Sequence, residues 1–171
     1  MNSLDIKPVC EQAQIGLSHK LQKEIFHHEL SLFGMEIPDR YDISSLYMHI
    51  RESNKLVGTY RIVFPNSEVG MPIEETGFDV RELKGKKICE MSRLVLLKEQ
   101  RGKIPFYRII RSASKVAKEN QASILLVAIL PRNFPLFQRA GFSQVGPPLP
   151  DPSVRLSDGE EGAIIPMQMK L

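Results

Sequence analysis

Apolar and polar positions along this chain follow two periods, and the period switches several times. Val9–Ile15 reads as a short strand. From Leu17 to Leu32 the apolar residues Leu17, Leu21, Ile25 and Leu32 recur at helical spacing, with Phe26 alongside, until Gly34 stops the run. Residues 34–42, holding Pro38, read as a polar loop. Alternation governs Ser45–Glu52, with Leu46, Met48 and Ile50 on one side, and Ser53-Asn54-Lys55 turns the chain into a second strand, Leu56–Phe64. Phe78–Leu83 reads as a short helix and Lys87–Leu97 as a strand. Ile104–Asn120 is the clearest helix, since Phe106, Ile109, Ile110, Ala113, Val116 and Ala117 make one apolar face. Ser123–Leu130 is a nearly continuous apolar run, the pattern of a strand covered on both faces. Asn133 is placed to cap a short helix through Ala140 that Gly141 ends. A Gly/Pro-rich stretch (Gly146, Pro147, Pro148, Pro150, Pro152) reads as a lid or a long connection before a last strand, Ala163–Leu171.

This order predicts an α/β (α+β) fold: a mixed sheet with a hairpin-rich first half and helices on both faces. The crossover from Lys87 to Leu130 is expected to join parallel strands, which can open a cleft at their carboxyl ends. A chain of 171 residues buries roughly 70% of its unfolded surface, enough for one core, so residues 1–171 are read as a single domain. The formal charge of +3 is too small and too dispersed for a dedicated nucleic-acid binder. Cys10 and Cys89 make neither a disulfide framework nor a metal-ligand spacing. His27-His28-Glu29 lacks the second, spaced histidine of a zinc helix, so no metal is expected. Met1–Pro8 has no apolar leader segment, and no apolar run approaches the ~18 residues of a membrane span. The expected location is cytoplasmic.

Charges inside strands are the informative ones. Arg61 falls mid-strand, and so do Glu90 and Arg93. Side chains alternate along a regular strand, so Glu90 and Arg93 share a face only if a β-bulge intervenes near Met91–Arg93. The bland alternative puts all three on a solvated edge strand. Asp39 and Asp42 precede the hairpin at a spacing of three; they are either turn-starting residues or carboxylates that meet Arg61 and Arg93.

Gly58-Thr59-Tyr60-Arg61, followed some thirty residues on by Glu90-Met91-Ser92-Arg93, resembles the paired motif of acyl-homoserine-lactone (autoinducer) synthases and bacterial N-acyl amino acid synthases. Both belong to the GNAT acyltransferase superfamily. Asp39-x-x-Asp42 is similar to their acidic pair, and Phe137-Gln138-Arg139-Ala140-Gly141-Phe142 resembles the superfamily's closing helix-to-strand turn. The resemblance implies a GNAT-like, mostly antiparallel twisted sheet. It also implies transfer of an acyl group, fatty rather than acetyl, from acyl carrier protein or acyl-CoA to the amine of a small amino-acid-like acceptor. By it, Glu90, Ser92 and Arg93 are candidate catalytic residues, and Asp39, Asp42, Arg61 and Phe26 candidate acceptor-binding residues. Leu94, Val95, Leu96, Arg101, Gly102, Lys103, Asn133 and Phe137 are the candidates for binding the donor.

The chain departs from these families in places. Gln100-Arg101-Gly102-Lys103-Ile104-Pro105 holds one glycine where many relatives cradle a pyrophosphate with two, and Pro105 has no N–H. Phe137 stands where many carry a tyrosine that protonates the leaving thiolate. Gln22 lies near the place of an arginine in the autoinducer synthases, and the chain has no Trp.

Amine attack on a thioester needs a base and donors for the oxyanion; Glu90 and the backbone N–H groups near Leu94 are the candidates. From Lys98 to Lys118, seven basic residues (Lys98, Arg101, Lys103, Arg108, Arg111, Lys115, Lys118) face only Glu99 and Glu119. Arg108, Arg111, Lys115 and Lys118 share one helical stripe, which either is a solvated face or steers an acidic carrier protein. An acetyl-CoA-dependent small-molecule N-acetyltransferase and a non-catalytic ligand-binding module are the alternatives.

Overall fold

An eight-stranded sheet organises the chain in the computed structural model, which describes residues 3–83, 85–155 and 161–171. Strands β1 (Leu4–Val9), β2 (Ser45–Glu52), β3 (Lys55–Val63) and β4 (Ile88–Leu96) lie side by side and antiparallel. Next to β4 runs β5 (Ile124–Ile129), parallel to it, as the crossover predicts. The two-residue β6 (Ser143–Gln144) and β7 (Leu149–Arg155) both pair with the long last strand, β8 (Glu161–Lys170), which is antiparallel to β5. Three helices join these strands: α1 (Gln12–Lys23), extended by a π-turn over Glu24–Glu29, α2 (Phe106–Glu119) and the short α3 (Phe134–Arg139). Among the described residues, no helix is long and apolar enough to cross a membrane.

The hairpin register gives the sheet two different faces. Leu46 lies opposite Ile62 and Met48 opposite Tyr60. These residues, with Met91, meet Ile109, Ala113 and Ala117 of α2 in the main apolar core. The alternate positions carry Tyr47 opposite Arg61 and His49 opposite Thr59, and this polar set faces α1. On the apolar side, fully burying each aliphatic side chain contributes about 1.5–3 kcal/mol.

Five local expectations need correction. The first strand is Leu4–Val9 rather than Val9–Ile15, because Leu4 and Ile6 pack on the core and Gln12 already begins α1. Pro8 is tolerated there since β1 is an edge strand, where a ladder donor can be spared. Leu17 is 46% exposed, whereas Leu21 and Ile25 pack inward as the spacing predicts, beside the buried polar residues Ser18 and Gln22. The Gly/Pro-rich stretch becomes strand β7 from Leu149, again on an edge that accommodates Pro150 and Pro152. Asn133 precedes α3 without a side-chain cap bond, because its own backbone is already turned into a 3-10 turn, Pro131–Asn133. Phe78–Leu83 is reduced to one 3-10 turn, Val80–Leu83.

Gly58 is needed where β3 crosses β4. A Cβ there would lie 2.5 Å from Leu96 Cδ2 and 2.7 Å from the Val95 carbonyl oxygen, which is backbone and cannot swing aside. Gly58→Ala is therefore expected to lower stability by about 1–3 kcal/mol, read as a lower urea midpoint with unchanged slope.

Candidate active site

Polar side chains packed between α1 and the sheet must find partners, because burial without a hydrogen bond is costly. Ser18 Oγ of α1 lies 3.0 Å from His49 Nε2 and accepts from Thr59 Oγ1 at 3.0 Å, and Thr59 also donates to the Met48 carbonyl. Gln22 Nε2 reaches the Arg93 carbonyl at 3.4 Å. His19 Nε2 lies 3.0 Å from Tyr47 Oη and 2.8 Å from Asp42 Oδ2. These polar pairs seat the helix together with Leu21, Ile25 and Phe26, which belong to one apolar cluster with Val95.

Arg61 is the centre of this layer and is 1% exposed. Its Nη1 donates to Asp39 Oδ1 and Asp42 Oδ1, and Nη2 to Asp39 Oδ2, each at 2.7 Å. Its Nε donates to Ser92 Oγ at 3.0 Å. Arg93 Nη2 adds a bond to Asp39 Oδ2 at 2.7 Å and another to the Glu36 carbonyl at 2.7 Å. Tyr47 donates to Asp42 Oδ1 at 2.7 Å. Burial pushes the Asp39 carboxyl upward, but the Arg61 hydrogen bonds and the charges of Arg61 and Arg93 outweigh it and hold the group below its ordinary value. Burial likewise works against the Arg61 charge, and Asp39 more than restores it.

The bulge that the sequence required is present. Thr59 pairs with Val95 and Arg61 with Ser92, so Tyr60 faces two residues, Arg93 and Leu94. Arg93 sits at φ 58°, a left-handed conformation unusual outside glycine. This extra residue turns Arg93 toward the side that Glu90 and Ser92 occupy. The solvated-edge alternative fails: β3 and β4 are interior strands, and Glu90 is 1% exposed.

Pairing between β4 and β5 stops at Glu90–Leu126. Beyond that point the two strands part around a cavity of about 760 Å³. Glu90, Ser92 and Arg93 line it from β4, with Asp39, Arg61 and Phe26 nearby, and Leu94, Val95, Leu96, Arg101, Asn133 and Phe137 line it as well. Asp42 is held behind Arg61, while Gly102 and Lys103 are exposed and outside the lining. Arg101 lies at the cavity, but a two-pronged ion pair with Glu29 and a bond to the Leu96 carbonyl already engage it. Phe137 packs edge-on against Phe106 and Phe142, with ring centroids 5.0 and 5.4 Å away.

Glu90 Oε2 accepts from the Ile73 N–H at 2.9 Å. Burial pushes its pKa up to about 8, against the opposing pull of that N–H and of Arg61. The turn that supplies Ile73, Pro72–Thr76, also presents Glu75, which accepts from Tyr41 Oη at 2.8 Å and pairs with Arg40 at 3.1 Å. Sequence reasoning missed Tyr47, His19, Tyr41 and Glu75. The first was legible in outline, since Tyr47 and His49 alternate with the apolar side of β2; the others depend on loops meeting in space. Among the described residues, no group of three or more His, Cys, Asp and Glu is arranged to hold a metal ion.

Arg61→Met is expected to destabilise the fold by about 3–5 kcal/mol, because it leaves the half-buried Asp39 and Asp42 facing no Arg61 charge. The depressed Asp39 contributes stability that is present above its ordinary pKa and lost as pH falls through its folded value. Urea unfolding from pH 7 down to pH 3 is expected to show this loss in the unmodified protein and a shallower one in Arg61→Met.

The sequence pattern of the N-acyl amino acid synthase FeeM matches residues 36–157 of this chain. No curated protein sequence matches it. Among solved structures, FeeM from uncultured soil microbes superposes with a TM-score of 0.73 at 14% identity, over 99% of this chain and 92% of that one. The AHL synthase LasI gives 0.66 at 19% identity, over 99% and 91%. An acyl-CoA N-acyltransferase from Pseudomonas aeruginosa gives 0.68 at 14%, over 99% of both chains. At such identities the superpositions speak for the fold, while the sequence match spans well over half of the chain. This protein therefore belongs to the FeeM N-acyl amino acid synthase family and is an acyltransferase built on the GNAT fold.

Proposed function

We propose that the enzyme transfers a fatty acyl group from a thioester, carried by acyl carrier protein or coenzyme A, to the amine of an amino-acid-like acceptor. The observation that carries this reading is a buried carboxylate, Glu90, at the point where β4 and β5 part, opening on a cavity that has charged groups and an apolar wall. Val127, Ile129, Val154 and Ile164 belong to that wall, which suits an alkyl chain better than an acetyl group.

In this reading Glu90 takes a proton from the acceptor, freeing the nitrogen lone pair. The amine adds to the thioester carbon, a C–N bond forms, and the carbonyl oxygen becomes an oxyanion close to the backbone of the bulge at Leu94. The C–S bond then breaks, and the thiolate leaves with the proton that Glu90 held. Such a relay replaces the tyrosine whose place Phe137 fills. Arg93, Ser92, Arg61, Asp39 and Asp42 hold the walls of the acceptor pocket rigid, with Phe26 as an apolar contact. Leu94, Val95 and Leu96 flank the donor arm on the β4 side.

The exposed stripe Arg108, Arg111, Lys115 and Lys118 on α2 supports an acidic carrier protein as the donor. Arg111→Glu is expected to lower kcat/KM for an acyl carrier thioester several-fold, with a loss that shrinks as salt is raised. Equal rates in the two proteins would remove the stripe from the reaction.

Glu90→Gln is expected to abolish transfer. It should also unfold at a higher urea concentration than the unmodified protein at pH 8, since a buried ionised carboxylate is removed. Intact-mass analysis of lipid extracts from bacteria expressing each version reads the first outcome and identifies the acceptor and the chain length. The rate in the unmodified enzyme is expected to rise with pH and level off above about 8, where Glu90 becomes the base. A flat profile across that range would assign the base elsewhere.

A further inference from the structure

Five arginines line the cavity, and four are committed to partners. Arg61 and Arg93 are bound to Asp39, Arg40 to Glu75, and Arg101 to Glu29. The fifth, Arg132, is exposed and makes no hydrogen bond or ion pair with a described residue. An arginine lining a substrate cavity with its fork of donors unspent is equipped to bind an oxyanion.

Its place in the fold says which oxyanion. Leu126 of β5 lies beside Glu90 in the last paired register. The strand runs on to Ile129, and the turn Pro131–Asn133 then carries Arg132. The backbone at Arg132 is thus displaced from the level of Glu90 by roughly 10 Å of strand plus a turn. An acceptor's carboxylate is one carbon away from its amine, and must lie close to Glu90 when the amine reacts. The phosphate of a phosphopantetheine arm lies at the opposite end of that arm from the thioester, and so reaches the outer end of the cavity.

Resting on the thioester-donor reading above, we propose that Arg132 is the residue that binds the phosphate of the donor's phosphopantetheine arm. The anion anchor then belongs to the β5–α3 turn. The β4–α2 loop is poorly furnished for it: Gly102 and Lys103 are not among the lining residues, and Glu29 already fills the Arg101 fork. Both possible donors, carrier protein and coenzyme A, present a phosphate at this end of the arm, so the anchor serves either.

Calorimetric titration with 4′-phosphopantetheine and with pantetheine tests this without requiring turnover. The unmodified protein is expected to bind the phosphorylated arm about tenfold or more tightly than pantetheine. Arg132→Gln is expected to erase that preference while binding pantetheine as before, and Arg132→Lys to keep part of it. Arg132 is exposed, so neither variant threatens the fold. A preference that survives in Arg132→Gln, or an equal loss for both ligands, overturns the assignment of Arg132 alone. Failure of the unmodified protein to bind either arm overturns the thioester-donor reading and this assignment with it.

Discussion

A guanidinium with almost no access to water must be surrounded by acceptors, and in this protein that requirement falls on Arg61. Meeting it draws in parts of the chain that are distant in sequence. Asp39 and Asp42 bring the loop before β2 down onto the sheet, and Ser92 fixes the strand next door. Arg93 completes the arrangement only because the bulge gives β4 one extra residue. A buried ion cluster of this kind adds little net stability compared with an apolar core. Its effect is to fix where each charged group sits.

The same cluster explains the electrostatics of Glu90. Two arginines face two aspartates in the immediate network, so the pull of Arg61 on the next carboxylate is partly opposed by Asp39. Glu90 is left with burial as the dominant influence, and with one backbone N–H and Arg61 in partial compensation. Without Asp39 the pull of Arg61 would be less opposed, and the Glu90 carboxyl would lie lower than it does. Asp39 thereby tunes the carboxylate without touching it.

How much of this was legible in the sequence depended on whether a signal was local. The β2–β3 hairpin, β4, β5 and α2 were read from period alone, since in each the apolar residues face a single partner layer. At the first helix, periodicity found Leu21, Ile25 and Phe26, which pack inward, but placed the exposed Leu17 with them and missed the inward Ser18 and Gln22. Strand β7 was hidden by prolines that matter little on an edge. At the site, Asp39, Arg61, Glu90 and Arg93 stood out as charges in strands and as parts of a resemblance. The bulge was legible only as a condition for bringing Glu90 and Arg93 together. Glu75 and Arg132 were out of reach, because their significance comes from which neighbours they have and lack in three dimensions.

The division of labour along β8 has a consequence in time. One edge of this strand pairs with β5, while the other is shared between β6 and β7. Val154 of β7 and Ile164 of β8 close the apolar wall of the cavity. The base comes from β4, far upstream, and the registers that tie β8 to β5, such as Ile124 with Lys170, join residues well separated in sequence. Contacts of that kind are reached late, after the local hairpin and helix contacts have been made. The charge cluster depends on contacts of the same kind, since Arg93 and Asp39 lie 54 positions apart. Charge cluster and acyl wall both wait on long-range contacts, so neither is expected to form ahead of the closed sheet.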